Sequence, residues 1–301
     1  MKSFLLFCGL LLSATTGYAL EPQKITDNIY ALVGPKEQRS ADNLANNATF
    51  GVIITDEGVV LVDPGGSWNG ARQIDGEIKK ISKQPVKYVI NSGGQDHRWL
   101  GNEYWKSKGA KIIASSTAVE DHKNRENDQL IALERFLGEG MKGTTPSYAD
   151  QTFDSEFELK IGGEIIKVLH FGQAHTPGDS LVFMPEKEII FSGDIIYVER
   201  ILGVGSQSNA KSWISVFENL AALKPKVIVP GHGHVTTLEA ATQQTYHYLT
   251  NLREKIGEHL ENGGNMIDSV NVDQSQFNYL EQFEALAKRN AQQVFSEMEW
   301  E

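Results

Sequence analysis

The sequence predicts a mixed α/β fold in which two β-sheets pack face to face and helices cover their outer faces. Three observations lead there. Short apolar runs rich in β-branched residues recur between turn-forming residues, at strand length rather than helix length. Stretches with apolar residues three and four apart separate them. The two halves of the 301-residue chain also repeat one order, strand, hairpin, Asp, helix, strand and loop, so each half supplies a sheet and helices to cover it.

In the first half the runs are Ile29-Tyr30-Ala31-Leu32-Val33, Phe50-Gly51-Val52-Ile53-Ile54, Val59-Val60-Leu61-Val62, Val86-Lys87-Tyr88-Val89-Ile90 and Lys111-Ile112-Ile113-Ala114. The second and third form a hairpin around Thr55-Asp56-Glu57-Gly58, with Glu-Gly supplying the turn. Asp63-Pro64-Gly65-Gly66 ends a strand, and residues 68–83 follow with helical spacing through Ile74, Ile78 and Ile81. Residues 116–138 are a charged helical stretch. Residues 138–156 form a long Gly, Thr and Ser-rich connection, a type of loop that is often functional and is here a candidate cover for a site.

In the second half, Ile165-Ile166-Lys167-Val168-Leu169, Leu181-Val182-Phe183-Met184 and Ile189-Ile190-Phe191 are strands. Asp194 ends the last as Asp63 does in the first half. A helix over 209–223 follows, and Val227-Ile228-Val229 leads into Pro230-Gly231-His232. Helical patterns over 237–261 and 276–300 give a tail packed on the sheets, with Tyr246, Leu249, Leu252 and Ile256 on one stripe as core.

The chain opens with Met1-Lys2-Ser3, an apolar run through Leu12, and small residues at Gly17 and Ala19. A basic start, a short apolar core and small residues at the −3 and −1 positions describe a secretory signal peptide cleaved after Ala19. The run is too short for an unaided membrane span. The expectation is a periplasmic or secreted protein with no stable membrane insertion after cleavage. Cys8, the only cysteine, leaves with the signal, so neither a disulfide nor a thiolate ligand remains. Loss of Lys2 moves the formal charge from −11 to −12, which argues against nucleic acid or anionic lipid as partner.

Four fragments carry candidate chemistry: Asn91-Ser92-Gly93-Gly94-Gln95-Asp96-His97-Arg98-Trp99-Leu100-Gly101-Asn102, His175-Thr176-Pro177-Gly178-Asp179, Ser192-Gly193-Asp194, and Pro230-Gly231-His232-Gly233-His234. Each puts a His or Asp just after a strand-like run, where a loop can hold a metal ligand with little entropy cost. Together, over residues 25–237, they resemble the metallo-β-lactamase superfamily. That resemblance implies the αββα sandwich, here with a C-terminal helical extension: signal peptide 1–19, metallo-β-lactamase-like domain 20–237 and helical extension 238–301. In the family, a His-x-His-x-Asp-His loop supplies most ligands of a two-zinc site, and here its His-x-His half is missing.

Two alignments of the loop stay open. With Asn91, Gly101 and Asn102 in register, the four ligand positions become Gly93, Gln95, His97 and Arg98, which leaves almost nothing to bind metal there. With one residue lost before Asp96 and one gained after His97, Ser92 and Gly94 replace the His-x-His pair. The second position is then complete as Asp96, His97, Asp194 and His232, and the first keeps only His175. On the second alignment the resemblance implies one zinc ion, Zn2+, within the set Asp96, His97, His175, Asp194 and His232. It implies metal-bound hydroxide acting on an ester, amide or thioester-type bond of a small molecule, with Asp96 catalytic in orienting it or shuttling its proton. His175 would be free to bond substrate or a bridging water, Asp63 would buttress the ligand loop, and Gln95, Arg98 and Arg200 are candidate substrate contacts. Nothing in the sequence selects the bond type or the oligomeric state.

Two rival readings belong beside this one. In the first, the protein is a catalytically inactive binding protein: Gly93-Gly94 open space where imidazoles would stand, and Arg98 swings into it to bind an anion without metal. In the second, it is an accessory protein of a periplasmic redox or quinoprotein pathway, on a resemblance to exported relatives with such a tail.

Overall fold

The computed structural model describes residues 19–301; the expected signal peptide lies, Ala19 excepted, outside the described residues. A seven-stranded sheet runs in chain order through β1 (Glu21–Lys24), β2 (Ile29–Val33), β3 (Thr49–Thr55), β4 (Gly58–Val62), β5 (Val86–Ile90), β6 (Lys111–Ser115) and β7 (Gln151–Phe153). Its first four strands are antiparallel and the rest add in parallel. Between them lie helices α1 (Trp68–Ile81), α2 (Asn102–Ser107) and α3 (Ser116–Leu137). A five-stranded sheet, in the order β12-β11-β10-β9-β8, is built from β8 (Glu156–Ile161), β9 (Glu164–Leu169), β10 (Leu181–Met184), β11 (Ile189–Phe191) and β12 (Val227–Val229). Helix α4 (Ala210–Ala222) joins its parallel pair β11 and β12, and α5 (Leu238–Ala241), α6 (His247–Glu261) and α7 (Phe283–Met298) follow.

The period-2 alternation of the strands decides the layering. Val60 and Val62 of β4 point into a core shared with Val168, Val182, Met184, Phe191 and Val229 of the other sheet. Val59 and Leu61 point outward onto Ala71, Ile74 and Ile78 of α1. On the far side, Trp213, Phe217 and Leu220 of α4, Leu249 and Leu252 of α6 and Val294 of α7 cover the second sheet. Each fully buried Leu, Ile or Val contributes about 1.5–3 kcal/mol, so this alternation fixes strand register and layer order together. This is the αββα sandwich.

Local signals set the helix ends. The Ser67 hydroxyl caps α1 by accepting from Gly70 N, and Asn209 caps α4 by accepting from Ser212 N. The stripe expected over 237–261 is broken by a π-helical turn, Thr242–Tyr246. Thr245 within it bonds both backbone groups of Tyr197, at 3.0 and 2.7 Å, and so pins the segment leaving Asp194. The 138–156 connection does not cover the cavity that the ligand fragments share. It packs on the start of α1, where Trp68 N donates to Thr144 Oγ1 and Asn69 Nδ2 to Gly140 O, and it ends in β7. Among the described residues no helix is long and apolar enough to cross a membrane.

Candidate metal centre

The 91–102 loop leaves β5 and is closed by a reciprocal amide pair, Asn91 with Asn102, at 2.9 Å in both directions. Asp63, held at φ +69° at the end of β4, accepts from Ser92 N and Ser92 Oγ at 2.8 Å each. A non-glycine residue in that region is strained, and here the strain aims a carboxylate under the loop. Asp63, expected to buttress the ligand loop, is thus hydrogen-bonded to that loop's second residue, Ser92.

The loop then turns through a short 3-10 segment, Asp96–Arg98, which sends successive side chains in different directions. His97 points to the sheet edge, where Nε2 lies 3.3 Å from Asp194 Oδ2, and His232 Nε2 lies 3.2 Å from Asp194 Oδ1. One donor atom from each of His97, Asp194 and His232 falls within 4.8 Å of the others, and all three residues are buried. Two features bring Asp194 inward: Gly193 adopts φ +50°, and a Cβ there would strike the Ser92 side chain. The His232 ring stacks on Tyr197 at 4.5 Å.

Asp96 is not brought to this group. Its carboxylate is gripped by Arg39, Nε to Oδ2 at 2.5 Å and Nη2 to Oδ1 at 2.6 Å, and its Oδ1 lies 3.0 Å from His97 Nδ1. Of the pair, His97 and not Asp96 stands with Asp194 and His232, the arrangement the in-register alignment expects of residue 97. The physical reason is Arg39, which takes both oxygens of Asp96 and holds them away from Asp194 and His232. Burial alone would push the Asp96 carboxyl up, but Arg39 and His97 hold it well below the usual range.

Arg98 does not contact the cavity either, contrary to its expected substrate role. It is fully buried and bonds Asp63 Oδ2 (2.7 Å), Asp194 Oδ1 (2.8 Å), Asp194 Oδ2 (3.2 Å) and the carbonyls of Thr49 and Gly231. It ties the two pseudo-repeats together through their matching aspartates. Burial opposes ionisation of Asp194, yet Arg98 and His97 hold its carboxyl well below the ordinary range.

Gly93 and Gly94 do not open space. A Cβ on Gly93 would land on the Asp179 carboxylate and one on Gly94 on that of Asp121. Asp179 is locked there by Thr176, whose N–H donates at 2.7 Å, and burial pushes its carboxyl up to about 8. Restoring an imidazole is therefore expected to fail. Gly93→Ala should lose about 1–3 kcal/mol in a denaturant melt through overpacking, and Gly93→His should lose more without gaining a second metal equivalent. A Gly93→His protein as stable as wild type would contradict this packing.

His175 lines the cavity but stands apart from the three-ligand group. Its Nδ1 donates to Gly203 O at 2.9 Å, and burial lowers its pKa to about 4, so it is a neutral ring with Nε2 as acceptor. No second imidazole of the first metal position accompanies it, because positions 93 and 95 are Gly and Gln. The cavity, about 150 Å³, is also walled by Gln95, Tyr197 and Arg200, and by Arg289 and Asn290 of α7. Gln95 and Arg200, the other two expected substrate contacts, both line this cavity. His234 pairs instead with Glu199, and His122 is buried in stacking against Trp99. Sequence reasoning missed Arg39, Tyr197 and Arg289; no motif marks them, and each comes from a segment distant from the ligand loop.

The description "Metallo-beta-lactamase superfamily" matches residues 45–232. Over 237 residues the chain is 25% identical to a metallo-beta-lactamase type 2 of Elizabethkingia meningoseptica, covering 77% of this chain and 86% of that protein. It is 22% identical over 219 residues to a linear primary-alkylsulfatase of a Pseudomonas species, covering 60% of this chain and 40% of that protein. Among solved structures, a metallo-beta-lactamase from Pontibacter korlensis has a TM-score of 0.62 at 23% identity, covering 77% of this chain and 99% of that one, a likeness of fold.

Proposed function

Because this chain belongs to the metallo-β-lactamase superfamily, we propose that it is an exported hydrolase of small molecules that works with one zinc ion held by His97, Asp194 and His232. The observation that carries this reading is the convergence of those three buried donors, one from the first pseudo-repeat and two from the second. Two imidazole nitrogens and one carboxylate suit a catalytic zinc with an open position. Bonds of about 2.0–2.1 Å in tetrahedral geometry need donors about 3.4 Å apart. The separations to Asp194 are of that order, 3.3 Å from His97 Nε2 to Oδ2 and 3.2 Å from His232 Nε2 to Oδ1, one imidazole at each carboxylate oxygen. The sequence pattern of residues 1–19 supports export.

When bound, the ion supplies a Lewis acid that activates water near neutral pH. The chain's own residues do the rest. His97 Nδ1 lies between Asp96 Oδ1 at 3.0 Å and Arg39 Nη2 at 3.1 Å; with the ring proton on Nδ1, Asp96 is its acceptor and the Nε2 lone pair is left facing Asp194. Burial, and then Arg200, keep His232 neutral, its pKa well below the ordinary histidine value. The acceptor Nε2 of His175 and the amide of Gln95 face the cavity and can orient a substrate.

Asp96 is thus a positioning residue. Asp96→Asn is expected to weaken zinc affinity about 10–100-fold, measured by competition with a chromophoric chelator. Unchanged affinity would refute the positioning role, and a far larger loss would restore Asp96 as a ligand. Bond type is tested with ester, thioester, phosphodiester, lactam and sulfate-ester substrates, the last two because relatives include a metallo-beta-lactamase and an alkylsulfatase. At least one should turn over, and a chelator should abolish it. A second reading draws on the contacts of Arg98 with both oxygens of Asp194: a metal-free binding protein. Silence across the panel together with no zinc uptake would favour it.

A further inference from the structure

We propose that the cavity beside the metal triad binds an oxyanion of the substrate, a carboxylate, sulfate or phosphate, between Arg200 and Arg289, so that helix α7 of the C-terminal segment is part of the substrate site. The word substrate rests on the hydrolase reading above; the anion site itself does not need the metal.

Arg200 carries the argument. Three arginines approach the buried cluster, and two are answered by carboxylates: Arg39 by Asp96, Arg98 by Asp63 and Asp194. Arg200 is only 4% exposed and has no ion pair among the described residues. Its nearest polar neighbour there is distant, His232 Nδ1 at 3.4 Å from Nη1, and cannot accept when His232 binds metal through Nε2 and carries its proton on Nδ1. The guanidinium carbon lies 5.9 Å from the Tyr197 ring, and Nε has no partner. An unpaired buried guanidinium is costly, by several kcal/mol, unless an anion joins it, and Arg200 lines the cavity. Its planar fork suits the paired oxygens of a carboxylate, sulfate or phosphate.

Arg289 supplies the second positive charge. It lies on α7, outside the 45–232 family match, lines the same cavity, and has no hydrogen bond or ion pair among the described residues. Its neighbour Asn290 fixes the helix to the cavity wall, accepting from Val204 N and donating to Leu202 O, both at 2.8 Å. Gln95 Oε1 is also buried without a partner; turned over, that amide presents NH2 to the same anion.

The test titrates sulfate, phosphate and acetate into the full chain, zinc-stripped and zinc-loaded, by calorimetry and thermal melting, with chloride at matched ionic strength as control. An oxyanion should raise the melting temperature beyond chloride. Arg200→Met should weaken its Kd about tenfold or more, and Arg289→Ala about threefold, as for an exposed charge contact. Arg200→Met should also melt no lower than wild type in the absence of oxyanion, because it removes an uncompensated buried charge, a result that a purely structural arginine would not give. The most stabilising oxyanion names the substrate's group. Oxyanions no better than chloride, or equal binding in both variants, would overturn the proposal. Normal zinc uptake with arginine-independent anion binding sinks this inference alone; absent zinc uptake with arginine-dependent binding sinks only the metal reading.

Discussion

Replacing Arg98 with methionine is expected to destabilise the protein by about 3–5 kcal/mol, the cost of leaving buried charge unpaired. Methionine keeps much of the volume, so the loss reports the charge rather than a cavity. The guanidinium is completely buried and reaches two equally buried carboxylates, Asp63 and Asp194, from opposite halves of the sandwich. Without it both must either stay ionised in a low-dielectric interior or take up protons. The Asp63 carboxyl, already raised by burial, then rises further and that of Asp194 rises from its lowered value, so the variant's remaining stability is greatest in acid and declines as pH rises through those raised values. Urea melts at pH 5 and pH 7 check this, and the deficit relative to wild type should be larger at pH 7. Zinc should recover part of it, because a cation beside Asp194 replaces the lost partner. A deficit below about 1 kcal/mol at pH 7, the scale of an exposed pair, would show that Arg98 does not clamp the two halves.

Removing a ligand imidazole is expected to have the larger functional effect. Zinc sites with four ligands bind with about 10–16 kcal/mol, so one ligand contributes on the order of 3–4 kcal/mol. His232→Ala and His97→Ala should each weaken zinc about 10²–10³-fold and abolish chelator-sensitive turnover. His175→Ala serves as the contrast. Its ring bonds Gly203 O and stands apart from the triad, so zinc affinity should hold while KM rises. Equal loss of zinc in all three variants would return His175 to the ligand set. Equilibrium dialysis at graded free zinc separates these outcomes.

Much of this architecture was legible in the sequence, because the signals are local. Alternating strands such as Val59-Val60-Leu61-Val62 set the faces, the Thr55-to-Gly58 turn closes a hairpin with Thr55 opposite Gly58, and Ser67 and Asn209 cap the helices that were expected. Strands β1, β7 and β8 were not seen. They are edge strands rich in polar residues, as in Glu156–Ile161, and only pairing reveals them, β1 with β2, β7 with β6 and β8 with β9. The ligand fragments were legible too, since Asp194 and His232 follow apolar strands through small residues. Which residue of the Asp96-His97 pair faces them was not. That depends on Arg39, whose guanidinium arrives from 57 positions upstream and takes Asp96 away. The glycine pair misled for a related reason: sequence shows the missing side chains at 93 and 94, but not the aspartates from other elements that fill the space. Arg289 was invisible in the same way, brought to the cavity only by the packing of α7.

The central claim, one metal ion held by His97, Asp194 and His232, is met most directly by elemental analysis of the full protein and of its His97→Ala variant after equilibration with zinc and removal of the excess. The account predicts about one equivalent in wild type and near zero in the variant. Two equivalents in wild type, fewer than about 0.2 as for adventitious metal, or a full equivalent retained without His97 would contradict it.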